Sequence, residues 1–212
     1  LSPLKKVITG AIGVILEAAA IKPVLNLKGE LKGSDIYLTW TNTNSDVLIT
    51  VLGTDGNKQT QTLKRGTLSA TISNLALGLA YSVTVAPIGN TAPDASMSVV
   101  IGIPPATPQN IQVTESGTNL TITWDKADGV VQYRVAVISD GDITRTVLTN
   151  TNKAVVPFKA GETYQIVIVG LGAGSLASEQ ATSSKKTSAS TTTSTTPTTP
   201  TTPGTVSYTH LR

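Results

Sequence analysis

Two pairs of landmarks recur along this chain at almost one offset, and that repetition limits its architecture more than any other feature. The segment IYLTW (36–40) is echoed by LTITW (120–124), placing Trp40 and Trp124 84 residues apart. The segment GLAYSVTV (78–85) is echoed by GETYQIVI (161–168), placing Tyr81 and Tyr164 83 residues apart. Two independent landmarks at nearly equal spacing mark a duplication, so the chain reads as two consecutive units of about 80 residues each.

Within each unit the period is two. Ile36, Leu38 and Trp40 alternate with Tyr37 and Thr39, which predicts a strand with one buried face. Runs at 47–51, 68–72 and 81–85 follow in the first unit. The second has runs at 111–113, 120–124, 133–137, 144–148, 154–156 and 164–169. Asp-Gly pairs in TDGN (54–57) and SDGD (139–142) predict tight turns. Aromatic residues are 4% of the chain, so cores must be built from Val, Ile, Leu and Ala beside abundant Thr, a composition that favours strands. The expected fold class is all-β, with two tandem Greek-key β-sandwiches, an apolar N-terminal helix and a Ser/Thr/Pro-rich tail. The expected boundaries are 1–26, 27–103, 104–183 and 184–212.

The second unit resembles a fibronectin type III domain along its full length. It has a proline-rich entry (Pro104, Pro105, Pro108), a strand at Val113, Trp124 in its second strand and Tyr133-Arg-Val in its third. Tyr164 precedes the sixth strand, and Gly174, Ser175 and Ser178 close the unit. The resemblance implies that the tryptophan fills the space between two sheets. It also implies that the corner tyrosine buries its ring while its hydroxyl bonds backbone. The first unit keeps Trp40 and Tyr81 but lacks the proline pattern and the third-strand tyrosine. The resemblance implies modules that bind, space and assemble, and names no chemistry.

Residues 4–22 are almost wholly apolar. Set on a helix, Lys6, Thr9, Gly10, Gly13, Glu17 and Ala20 form a narrow stripe, and Pro23 would end the helix. Leu4, Val7, Ile8, Ala11, Ile12, Ile15, Leu16 and Ala19 cover the rest and are the expected assembly residues. A secretory signal fits Lys5-Lys6 followed by an apolar stretch and three alanines. A membrane span needs about 20 apolar residues, more than the run around Glu17 supplies, so no stable span is expected. An assembly segment buried against other copies ranks first. The start Leu1-Ser-Pro-Leu4 resembles the mature end of archaeal type IV pilins, although Lys5-Lys6 stands where pilins are apolar. A second reading makes the apolar run, or residues 24–31, a strand donated to a neighbour's sheet edge.

The tail repeats Thr-Thr-Pro three times over 195–203, which favours an extended polyproline II spacer. Such tracts suit O-glycosylated stalks, with Thr195, Thr196, Thr198, Thr199, Thr201 and Thr202 as candidate sites, or bare linkers. A sequon at Asn119 offers a further glycosylation site inside an expected strand. The final VSYTHLR resembles a translated sequencing-adaptor tail.

Little catalytic chemistry is available. There are no cysteines, and His210 is the single histidine, the third residue from the end. Asp125 with Asp128, and Asp140 with Asp142, fall in turns, where Asp bonds local backbone. The net charge of +3 is spread thinly without aromatic clustering, which argues against nucleic acid as a partner. No enzyme activity, cofactor or metal is expected. The leading expectation is a structural subunit of an extracellular, cell-surface filament or pilus-like appendage, self-associating into a homopolymer and carrying covalent glycans. The alternatives are a non-catalytic module of a secreted polysaccharide hydrolase, or a surface adhesin.

Overall fold

A computed structural model of the chain describes residues 19–41 and 44–189. The first unit holds β1 (Leu25–Lys32), β2 (Asp35–Thr41), β3 (Val47–Gly53), β4 (Lys58–Leu63), β5 (Ser69–Ile72), β6 (Ala80–Pro87) and β7 (Met97–Gly102). The second holds β8 (Gln112–Ser116), β9 (Asn119–Thr123), β10 (Gln132–Ser139), β11 (Asp142–Thr149), β12 (Lys153–Pro157), β13 (Thr163–Leu171) and β14 (Ala181–Lys186). A single 3₁₀ turn, Ala173–Ser175, separates β13 from β14.

Both units have one antiparallel plan. The sheets run β1-β2-β5 and β4-β3-β6-β7 in the first, and β12-β9-β8 and β11-β10-β13-β14 in the second. Alternation puts Ile36, Leu38 and Trp40 of β2 against Ile49, Val83 and Val85 of the facing sheet, all buried. Leu120, Ile122 and Trp124 meet Val135, Ile166 and Ile168 in the same way. Fully burying an aliphatic side chain of this size stabilises a fold by about 1.5–3 kcal/mol. The cores therefore hold without large aromatic content.

Four strands stand outside the runs that alternation marked. β4 (KQTQTL) is exposed along most of its length, and β14 (ATSSKK) buries no residue fully, so neither carries an apolar signature. β1 and β7 are edge strands with only partial burial. Such strands are held by backbone pairing to a neighbour, which residue type barely records.

Two expectations about the N-terminal region need correction. Residues 25–31 do not serve as a donated strand, because β1 pairs with β2 of its own sheet from Leu25 to Lys32 around a bulge at Asn26 (φ 54°). Residues 19–24 carry no helix, although the expected helix reached residue 22; they run irregularly into β1, and Ala19 is exposed. Leu4, Val7, Ile8, Ala11, Ile12, Ile15 and Leu16 lie outside the described residues. At the other end β14 passes residue 183, and Thr187 is buried. The second fold thus includes residues 184–187, which their composition had assigned to the tail.

Candidate assembly surface

The aromatic landmarks belong to the interior. Trp40 and Trp124 are 2% and 3% exposed, so neither indole face is open to a ligand. Trp124 meets Tyr133 edge-on, with ring centroids 5.1 Å apart, and the Tyr133 hydroxyl accepts from the Ala127 amide at 2.9 Å. The Tyr81 hydroxyl accepts from the Ala76 amide at 2.8 Å and donates to the Ala76 carbonyl at 3.1 Å. Tyr164 differs in one bond: it accepts from the Lys159 amide at 2.9 Å and donates to the Glu162 carboxylate at 2.8 Å. Burial pushes both tyrosine hydroxyls above their ordinary value. The Tyr164 hydrogen bond, aided by Lys159, holds the Glu162 carboxyl below its own.

The carboxylate pairs do not converge. Asp125 accepts from the Asn110 side-chain amide at 2.6 Å, and the Asp128 carbonyl accepts from the Ala106 amide. Asp140 occupies the β10–β11 turn at φ 52°, with Asp142 opening β11. Among the described residues no group of three metal-ligating side chains gathers. Nor is any helix there long and apolar enough to cross a membrane. Asn119 opens β9 beside the Gly117 turn and is half-buried. The candidate threonines of the tail lie outside the described residues.

Backbone contacts join the two sandwiches end to end. Gly78, at φ +73°, accepts from the Ala173 amide at 2.9 Å and donates to the Ile103 carbonyl at 2.9 Å. A methyl group on Gly78 would stand 2.0 Å from the Gly129 carbonyl oxygen, and one on Gly172 would stand 2.7 Å from the Gly78 backbone. The Leu176 side chain closes on Gly102. Three glycines let the chains approach where any side chain would separate them.

The chain enters and leaves at the poles remote from this junction. β6 runs from Ala80, next to the junction, to Pro87, and the loop beyond it holds the incoming chain. Asn90 donates to the Ile21 carbonyl at 2.8 Å, and Asn44 both accepts from the Lys22 amide and donates to the Ala20 carbonyl. Asp46, nearby, accepts from the Arg65 amide at 2.9 Å and pairs with Lys64 at 3.1 Å. These contacts, the amide first, hold its carboxyl below the ordinary value. In the second sandwich, β13 ends at the junction and begins at the opposite pole. There Thr187 donates to the Glu162 carbonyl, and the Ser188 carbonyl accepts from the Gly161 amide.

The outward faces of the two four-stranded sheets differ. Register equates Gly53, opposite Tyr81, with Ser139, opposite Tyr164. Thr50 and Thr84 of the first face thereby correspond to Ala136 and Val167 of the second. Along the edge strands, Lys58 and Thr62 correspond to Ile143 and Leu148. Thr84 shares a 2.7 Å hydroxyl contact with Ser98, so the first face is polar at its centre, although Leu48, Leu52 and Val100 of the same sheet are exposed beside it. On the second, Ala136, Ile138, Ile143, Val167 and Val169, with Thr146 and Gln180, line a depression of about 490 Å³ flanked by Arg134. Composition gave no hint of this face. Comparing outward positions of the two repeats would have found it.

No protein-family model and no curated protein matches the chain. Among solved structures, a segment of two fibronectin type III domains from chicken tenascin is similar to it, with a TM-score of 0.65 and 17% identity. The match spans 77% of this chain and 99% of that one. The three-domain FN1–FN3 segment of chicken CNTN1 aligns over 80% of this chain and 67% of its own length, at 16% identity and a TM-score of 0.38. The tandem fold is that of fibronectin type III domains.

Proposed function

We propose that this chain is a structural, non-catalytic subunit of an extracellular cell-surface filament or pilus-like appendage, with its Thr/Pro tail glycosylated. The observation that supports this reading is the placement of its ends. Residues 19–22 are held at one pole of the tandem and residues 187–188 at the other, with a close-packed junction between. In the chain, the apolar stretch 4–16 precedes the first of these poles and the Thr/Pro tail follows the second. A linear assembly needs a hydrophobic connector and an outer stalk kept apart, and this order supplies both. In this reading residues 4–16 polymerise the subunits and the sandwiches form the wall.

Negative-stain microscopy and light scattering of the full chain and of a chain lacking residues 1–18 test the proposal. The full chain is expected to form filaments or large oligomers and the shortened chain to remain monomeric. Filaments from the shortened chain, or a full chain that stays monomeric at every concentration, would refute it. A monomeric full chain that bound a glycan or a surface protein would instead support the adhesin reading, which the same tandem fold also suits.

A further inference from the structure

The first sandwich leaves one sheet edge open. β4 (KQTQTL) ends the sheet β4-β3-β6-β7, and Lys58 to Thr62 are exposed along it. The hairpin determines which of its backbone groups are free. The Gly53 amide donates to the Asn57 carbonyl at 2.9 Å, and the register next sets Leu52 against Lys58. Gly53 and Asn57 are thus a hydrogen-bonded pair, and such pairs alternate along an antiparallel ladder. Gln59, Gln61 and Leu63 therefore bond to Val51, Ile49 and Val47 of β3. Lys58, Thr60 and Thr62 turn their amides and carbonyls away from the sheet, in one row.

Such an edge is a template for another strand, and folds usually blunt it. In this chain β1 and β11 have register shifts, β12 ends in Pro157, and β14 carries Lys185 and Lys186. β11 is the direct comparison, because it holds the place of β4 in the second sandwich. There Thr144 drops out of register, and its hydroxyl turns to the Val137 carbonyl at 3.0 Å. β4 has no such device. It pairs with β3 without a shift, lacks proline, and has Lys58 as its single charge.

We infer that β4 of one copy pairs antiparallel with β4 of a second copy, about a twofold axis at Thr60. The inference rests on the filament reading above and names a contact that subunits add once their connectors bring them together. The strand is its own complement in this register. Lys58 of each copy meets Thr62 of the other, and the two Thr60 residues meet on the axis. Every free donor then faces an acceptor, and no charge lies opposite its like. Gln59 of one copy lies across from Gln61 of the other, where their amides can exchange hydrogen bonds. The facing sheet leaves room, since Gln59 and Gln61 border an open recess of about 250 Å³ beside Thr71, Ile72 and Ser73. An edge this short buries little apolar surface, so it does not hold two free chains together against the cost of association. Tethering raises the effective concentration, so edge pairing follows polymerisation rather than driving it.

Because the chain lacks cysteine, single cysteines report the contact directly. Full-length Gln59→Cys and Gln61→Cys chains are assembled together in equal amounts and oxidised. Opposed residues of this kind lie about 4.5 Å apart at Cα, within disulfide range. The expected product is the heterodimer, well above the equal share with homodimers that random collision gives. Thr60→Pro removes a donor that β3 does not use, so the sandwich should keep its ladder while the edge loses its template. The concentration for half-assembly is expected to rise about tenfold. Should that chain not fold, Thr60→Lys sets like charges together on the axis with the same expected rise, and an equal mixture with Thr60→Glu is expected to reverse it. Filaments with cross-links in the random ratio, or Thr60→Lys assembling as readily as the unaltered chain, would overturn the inference and leave the filament reading standing. So would a predominance of homodimers, which would mean parallel pairing. A full chain that is monomeric by light scattering defeats both.

Discussion

At the residue scale, the two corner tyrosines show how similar positions take different electrostatic settings. Tyr81 closes on the backbone of Ala76 alone, whereas Tyr164 shares its proton with Glu162. Tyr81→Phe removes the acceptor of the Ala76 amide inside a packed corner. It is expected to destabilise the first sandwich by about 1–3 kcal/mol, read as a lower urea midpoint at unchanged slope. The pH profile follows from the charged partners. Asp46 and Glu162 have folded values below their unfolded ones, so their contribution is complete above the ordinary carboxylate range and is lost as pH falls through the folded values. Tyr81 and Tyr164 have raised values, so their contribution is complete below about pH 10 and lost as pH rises through the folded values. Urea midpoints are expected to be flat from about pH 6 to 9 and to decline on both sides, the acid limb becoming shallower in Asp46→Asn. The carboxylates are exposed, so that limb should be small.

At the scale of elements, the junction is the feature most sensitive to one atom. Gly78→Ala places a methyl group against the Gly129 carbonyl and adds the cost of a non-glycine residue at positive φ, about 1–2 kcal/mol. Small-angle scattering is expected to show a changed angle or looser coupling between sandwiches. Proteolysis near residues 103–111 is expected to accelerate, while each core stays folded. Edge strands show the converse. β4 and β11 occupy the same place in their sheets but carry KQTQTL and DITRTVLT. Both pair antiparallel with the neighbouring strand, β11 with a register shift that β4 lacks, and their outward side chains differ.

For the whole molecule, end-to-end joining holds residues 19–22 and residues 187–188 at opposite poles. This polarity makes removal of residues 1–18 informative. The sandwiches keep their cores, so a loss of assembly without a loss of stability would assign polymerisation to the connector rather than to the folded units.

Much of the fold was legible in the residues because each sandwich is a local alternation repeated. Ile36, Leu38 and Trp40 announce a buried strand face, and the Asp-Gly pairs at 55–56 and 140–141 announce turns. The Trp and Tyr offsets announce that the unit occurs twice. Burial at period two is a property of neighbouring residues, so a linear text records it. Other features came only from tertiary structure. Residues 25–31 had the composition of a donated strand, but their own β2 supplies a pairing edge a short turn away, and that proximity wins. Gly78, Gly129 and Gly172 are ordinary turn glycines until the backbones meet. Thr50 and Ala136 become comparable only when register sets Gly53 and Ser139 opposite the two tyrosines. Contacts between distant segments depend on which surfaces folding brings together, and no single stretch of sequence carries that information.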